Sequence, residues 1–485
     1  MAISFNEISS SQRAPGTYYE QDGSKALGAQ QPEPHTVLIV GIQKTTGVTG
    51  TAGTTYPIVG ETDGDALFGV ESQAAVICRA FKRLNKGSRC FAMGVAEAGG
   101  GAAAVGTFPF TGTSSAKGTL KVRIGDIRVS VTLASGTTAT QAGVALDAAI
   151  DLVPRTLFLA SNGTGTVTLT CVHKGVEFNQ VTIEVESIPA GLACTPVQPT
   201  GGTTNPTVSS AVIANMADER YDTLISGFTD ATSIAAFEAE MDRRDNPTVK
   251  QPGMVIAATA GSHGTLTTYG NARNSQFSQV MGTSTSPTPP WIWAAQVAAR
   301  DAQVCETLNP NRPRKGLTLP DCEAPKKIDR FDVDERNLLY FDGISSFTVD
   351  QSGMVAIDRL ITTYQVNAQS LADATYLDVG TIRNLHGIYL ELLSIGAKHE
   401  RDLVAPDGTD SDPGVPVLTP KAFKGELQSW YESLVRRGRA KDTKGFVESL
   451  IVQINGADPT RLDTNLSTRL VSGLQIIAIK NDFQL

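Results

Sequence analysis

Residues 36–42, Thr-Val-Leu-Ile-Val-Gly-Ile, are followed at 71–84 by Glu-Ser-Gln-Ala-Ala-Val-Ile-Cys-Arg-Ala-Phe-Lys-Arg-Leu and at 90–95 by Cys-Phe-Ala-Met-Gly-Val. The first stretch is an unbroken apolar run of strand length, the second spaces its apolar residues for one side of a helix, and the third is again strand-like. A strand, helix, strand order of this kind builds a parallel sheet covered by helices. Outward from it, Gly100-Gly101-Ala-Ala-Ala interrupts the pattern, and short β-branched runs take over at 119–124, 127–133, 167–172 and 181–185, broken by one helix near 139–151. Gly201-Gly202-Thr-Thr-Asn-Pro206 closes this stretch, which reads as a β-rich insertion.

Alternation then resumes. Strands are expected near 223–228, 253–258 and 276–281, with helices near 232–244, 263–273 and 290–303. From about residue 366 the pattern turns helical, with Ile382, Leu385, Tyr389 and Leu392 on one helix face. A Pro/Gly/Asp loop at 405–420 precedes a further helix at 421–439. Both ends alternate as strands do: Ile3 and Phe5 at the start, and Ile477, Ile479, Phe483 and Leu485 at the finish. Neither has a hairpin turn beside it, so each pairs elsewhere in the fold or with another chain.

At 485 residues the chain is long enough for about three domains. With 41% hydrophobic and 19% charged residues it has the composition of a folded protein. A net charge of −8 argues against direct nucleic-acid binding, which needs clustered Lys and Arg. Residues 1–13 lack the basic start and apolar core of an export signal, and the longest apolar runs fall far short of the roughly 20 residues that span a bilayer. Membrane insertion is therefore not expected. Cys78, Cys90, Cys171, Cys194, Cys305 and Cys322 form no C-x-x-C pair, which disfavours a zinc site and leaves buried thiols or disulfides as readings. Arg436, Arg437, Arg439, Lys441 and Lys444 follow a helix bearing Trp430 and Tyr431. They read either as a solvated helix end favoured by the macrodipole or as a basic stripe facing an acidic partner.

Catalytic signatures are sparse. No phosphate-binding loop or G-x-G-x-x-G occurs, and His399-Glu400 lacks the second His of a zinc helix. Asp222, His263 in Ser-His-Gly-Thr and Ser284 in Gly-Thr-Ser-Thr-Ser-Pro resemble the three motifs of subtilisin-like proteases. In such a triad the His removes the Ser proton while the Asp orients the imidazole. Only about twenty residues separate His263 from Ser284, whereas subtilisins place much of a domain there. The expectation is therefore a chain with no catalytic residues, no metal and no cofactor. A subtilisin-fold serine hydrolase is the alternative.

Several segments resemble the Mu-like contractile phage tail sheath family. They are Ile3-Ser-Phe5-Asn-Glu-Ile8 with Arg13-Ala-Pro15-Gly16-Thr-Tyr18; the run from Asp334-Glu335-Arg336 through Tyr340, Gly343 and Phe347 to Arg359-Leu360-Ile361, Tyr364-Gln365 and Tyr376-Leu377-Asp378; and Asp458-Pro459-Thr-Arg461-Leu462-Asp463. The resemblance implies an α/β multidomain protein: an N-terminal arm (1–30), a subtilisin-like core without protease activity (31–105 and 201–365), an inserted outer β-rich domain (106–200), an α+β inner domain (366–472) and a C-terminal arm strand (473–485). It further implies six-membered rings stacked around a tail tube, terminal arms exchanged between subunits, baseplate and tail terminator proteins as partners, and contraction that drives the tube through a host envelope. Such a protein would be assembled in the host cytoplasm and reside in the virion tail; another tail structural component, such as a baseplate protein, is the alternative within the same class.

Overall fold

A computed structural model describes residues 34–483 apart from positions 155, 209, 308, 411, 413 and 414. Ile3, Phe5 and Leu485 lie outside the described residues.

The first element among the described residues is β1 (Thr36–Ile42), in which every residue is buried. A strand with both faces covered carries no polar alternation, and this explains the continuous apolar run. The short β2 (Thr55–Pro57) and α1 (Asp63–Phe68) lead to α2 (Gln73–Leu84), whose N-terminus is capped by the Ser72 hydroxyl accepting from the Ala75 amide. β3 (Arg89–Val95) returns parallel to β1. Packing at Gly41 is tight: a Cβ there would lie 3.1 Å from the Ala74 backbone on α2.

Residues 103–200 then form β4 (Ala103–Gly112), β5 (Gly118–Ile124), β6 (Ile127–Leu133), α3 (Ala139–Asp151), β7 (Phe158–Gly163), β8 (Thr166–Lys174), β9 (Ile183–Ser187), β10 (Leu192–Cys194) and β11 (Val197–Thr200). They make two antiparallel sheets, one in the order β10-β4-β8-β7 with β11 also on β4, the other β6-β5-β9. A capping box between Thr138 and Gln141 starts α3. The β-branched alternation places Phe108, Phe158, Val167 and Leu169 inside.

After the one-turn α4 (Ser210–Ala214), the chain rejoins the first sheet through β12 (Thr223–Ser226), α5 (Ala231–Asp245), β13 (Met254–Thr259), α6 (His263–Asn271), β14 (Ser278–Gly282) and α7 (Pro290–Cys305). The six-stranded sheet runs β14-β13-β12-β1-β3-β2, parallel throughout except for β2 at one edge. The apolar α7, with proline in its first turn, lies buried against it. A three-stranded sheet follows, β15 (Thr318–Glu323), β16 (Ser346–Val349) and β17 (Met354–Arg359), with α8 (Val333–Phe341) started by the Asp332–Glu335 capping box.

The last part comprises α9 (Val379–Ala397), the paired β18 (Leu403–Val404) and β19 (Val417–Leu418), α10 (Pro420–Arg436), α11 (Thr443–Ser449), and the hairpin strands β20 (Ile451–Ile454) and β21 (Leu462–Asn465). One buried apolar cluster runs from the central sheet into the β-rich unit, and a second, separate one joins Ile388 and Ile395 of α9 to Trp430, Tyr431 and Phe446. The face expected of α9 is only partly the buried one. Ile382 is buried, but Leu385, Tyr389 and Leu392 are half-buried, while Arg383, Asn384, Ile388 and Ile395 go inside. The helix serves two cores in turn, so no single stripe describes it.

Candidate functional site

Asp222, His263 and Ser284 are not brought together. The Asp222 carbonyl accepts from the Met254 amide at the start of β13, while His263 and Ser284 follow the far ends of β13 and β14. Five steps of strand separate the two edges by roughly 16 Å. Each group is engaged locally: an Asp222 carboxylate oxygen accepts from the Thr36 amide at 2.8 Å, His263 Nε2 lies 3.2 Å from the Glu335 carbonyl, and Ser284 Oγ donates to the Asp329 carbonyl at 2.6 Å. No serine–imidazole–carboxylate relay results. Among the described residues no cluster of His, Cys, Asp and Glu has metal-binding geometry, and no helix is long and apolar enough to cross a membrane.

The six cysteines are free. Cys78, Cys90, Cys171 and Cys322 are buried, Cys194 and Cys305 half-buried. Burial pushes the Cys194 and Cys305 thiols up to about 12, so little thiolate is present near neutrality for exchange.

The basic run divides. Arg437 and Arg439 turn inward onto Glu391 of α9, with Arg437 Nη2 at 2.9 Å from its carboxylate and Arg439 Nε donating to Asn384 Oδ1 at 2.8 Å. Trp430 Nε1 donates to the same carboxylate at 2.8 Å. Burial opposes ionisation of Glu391, and the two guanidinium groups overcome it, holding its carboxyl below the ordinary range. These two arginines therefore fasten α9 to the end of α10 and are corrected from a surface stripe to internal ties. Arg436, Lys441 and Lys444 remain exposed. His399 is not a free solvated charge either: Nδ1 lies 2.6 Å from Asp402 and Nε2 2.6 Å from Glu426, and the bond to Asp402, aided by Glu426, raises its pKa.

A buried ionic knot that the sequence reading missed ties α9 to the central sheet. Asp301 of α7 receives Arg314 Nη2 and Arg383 Nη2, each at 2.7 Å, and all three side chains are almost wholly buried. Arg383 continues to the Thr223 hydroxyl at 2.6 Å, which also meets His35 Nε2 at 2.9 Å. Burial alone would raise the Asp301 pKa, but Arg383 and Arg314 outweigh it and bring it to about 2. The local signal is a charged residue, Asp301, in the mostly apolar and buried α7.

The C-terminal end has a fixed root and a free continuation. Lys441 N donates to the Arg469 carbonyl at 2.8 Å, Val471 N to the Arg439 carbonyl at 3.2 Å, and Asn311 Nδ2 to the Val471 carbonyl at 3.1 Å. Gly473 lies against Pro313, where a Cβ would come within 2.8 Å of the ring. Beyond this point, among the described residues, 474–483 pair with no strand. Leu474, Ile476, Ile477, Ile479 and Phe483 are 68–86% exposed. The expected terminal strand is thus not formed among the described residues, which offer it no ladder partner. Apolar residues occupy both alternating sets over 474–479, a pattern suited to burial on both faces. Among the described residues, β20 and β21 form a sheet of two strands, each paired along one edge alone.

A family profile described as the phage tail sheath protein central domain matches residues 201–363. The Mu-like prophage FluMu tail sheath protein of Haemophilus influenzae is 32% identical over 487 residues, covering 99% of each chain. Among solved structures, a sheath tail protein of Desulfitobacterium hafniense aligns with a TM-score of 0.49 at 14% identity, over 94% of this chain and 100% of that one. One from Listeria innocua aligns with a TM-score of 0.48 at 13% identity, over 90% and 92%.

Proposed function

The chain belongs to the Mu-like phage tail sheath proteins, structural subunits of the virion tail, and from that premise we propose that it polymerises as stacked six-membered rings around a tail tube through exchanged terminal arms. The observation that carries this reading is the row of exposed apolar side chains from Leu474 to Phe483, held out from a hydrogen-bonded root. Free in water such a segment is unfavourable; as a strand added to a neighbouring subunit it gains a ladder and buries both faces. The open edges of β20 and β21 are the receiving site. Residues 31–105 and 201–365 act as a core of subtilisin-like type with no proteolysis, 106–200 as the outer domain and 366–472 as the inner one. Contraction is a change of packing between subunits linked by these arms and consumes no nucleotide. Baseplate and terminator proteins bound the two ends of the stack. Purified protein should form hollow, cross-striated cylinders in negative stain and take up no active-site serine probe; compact particles without cylinders, or labelling at Ser284, would overturn this reading.

Arg436, Lys441 and Lys444 are the basic residues left to face a tube with an acidic outside. Screened contacts of this kind hold a lattice in register yet release when it moves. Reversing all three to Glu should leave a folded monomer and cut assembly on tubes at least tenfold, scored by counting sheathed tubes. Tails assembled at normal yield would exclude a tube-facing role.

A further inference from the structure

Where α9 ends, the chain turns back through β18 and β19 into α10, and one side chain joins the two helices at that corner. His399 lies just past the end of α9. Its Nδ1 is 2.6 Å from Asp402, and its Nε2 is 2.6 Å from Glu426 of α10. The ring stands perpendicular to that of Phe423, one turn before Glu426. Lys398 Nζ reaches the other oxygen of Glu426 at 3.2 Å. The remaining charged residues of the corner do not compete for the ring: Glu400 and Arg401 are exposed, and Lys424 donates to the Leu450 carbonyl at 2.7 Å.

Hydrogen-bonding chemistry fixes the charge that this arrangement needs. A neutral imidazole has one N–H and one lone pair, so it donates to one carboxylate while its other nitrogen faces lone pairs. A carboxylate on each nitrogen therefore calls for the imidazolium. The corner then holds two carboxylates, one ammonium and one imidazolium, and loss of the proton leaves one negative charge uncompensated. The other four histidines are placed differently. His173 meets a carboxylate, Glu97, through Nδ1 alone, His263 meets a carbonyl, and burial lowers His35 to about 4 and His386 to about 3.

We propose that His399 is a proton-operated clasp between α9 and α10, closed as the imidazolium and released when the ring becomes neutral. The bond to Asp402, aided by Glu426, raises the folded pKa above the ordinary value of 6.5, against the partial burial that would lower it. A pKa raised by folding gives stabilisation that is complete below the ordinary value and is lost as pH rises through the folded one. The clasp is thus closed on the acid side and open in alkali. Its place gives it reach. Further along α10, Tyr431 Oη donates to the Lys441 carbonyl at 2.7 Å and accepts from the Arg469 amide at 3.1 Å, which is the root from which residues 474–483 leave.

Two measurements on the full chain test the clasp. With carbon-13 in the histidine rings, nuclear magnetic resonance gives five ring signals, and the one missing from H399Q belongs to His399. That signal should titrate above 6.5 in the wild type and at lower pH in E426Q and in D402N. Trypsin should cut after Lys398 and Arg401 at least threefold more slowly in the wild type than in H399Q at pH 6, and at equal rates at pH 9. Taking the ratio at each pH cancels the protease's own pH dependence. A wild-type midpoint at or below 6.5, a midpoint unmoved in both E426Q and D402N, or a cleavage ratio that stays constant with pH overturns the clasp.

Discussion

A chain lacking residues 475–485 should remain a soluble, folded monomer and yield no cylinders at all. Its root is preserved, because the hydrogen bonds of Arg469 and Val471 and the packing of Gly473 on Pro313 all precede the cut. What is lost are Ile476, Ile477, Ile479 and Phe483, which contribute nothing to the monomer's own core while exposed. Buried in a neighbour, each contributes about 1.5–3 kcal/mol. Because every subunit donates one arm and receives another, the loss recurs at each joint and is amplified by the number of joints. Circular dichroism and sedimentation should report an unchanged fold and a single small species, and microscopy an empty field. Unfolding of the truncated chain would place the segment in its own core; normal cylinders would make the arm dispensable. Either result would defeat the arm-exchange account.

Asp301→Ala should lower the stability of the monomer by about 3–5 kcal/mol, the usual cost of leaving buried charge without its partner. Two guanidinium groups, Arg314 and Arg383, would then share a buried site with no carboxylate between them. Burial opposes the Asp301 charge, but the arginines lower its pKa to about 2, below the usual carboxylate value near 3.9. Its contribution is therefore complete above about pH 4 and is lost as pH falls through about 2. Urea denaturation followed by tryptophan fluorescence would measure the change. A loss below about 1 kcal/mol would show that α9 is tied to the sheet by packing alone. Since α9 also carries Glu391 and the start of the inner core, the same substitution should loosen the arm's root.

Local pattern carried much of the fold. The apolar run at 36–42, the helix at 73–84 and the strand at 89–95 fall where their periodicities place them, because a doubly covered strand and a capped amphipathic helix each declare themselves within a few residues. The β-branched alternation between 103 and 200 was readable for the same reason. The candidate site was less so. Arg437 and Arg439 look like surface charge beside a helix end until Glu391, far back along the chain, is packed between them.

By itself the sequence determined the α/β alternation of the central segments, the absence of a motor or metal motif, and the family that its quoted segments resemble. Only the tertiary structure decided which charges are internal, how Asp301 joins three distant segments, that Asp222 sits across the sheet from His263 and Ser284, and that residues 474–483 find no strand partner among the described residues. The division has a physical cause. Periodicity and capping are short-range properties written in neighbouring residues, whereas ion pairing, burial and strand pairing depend on which distant surfaces meet.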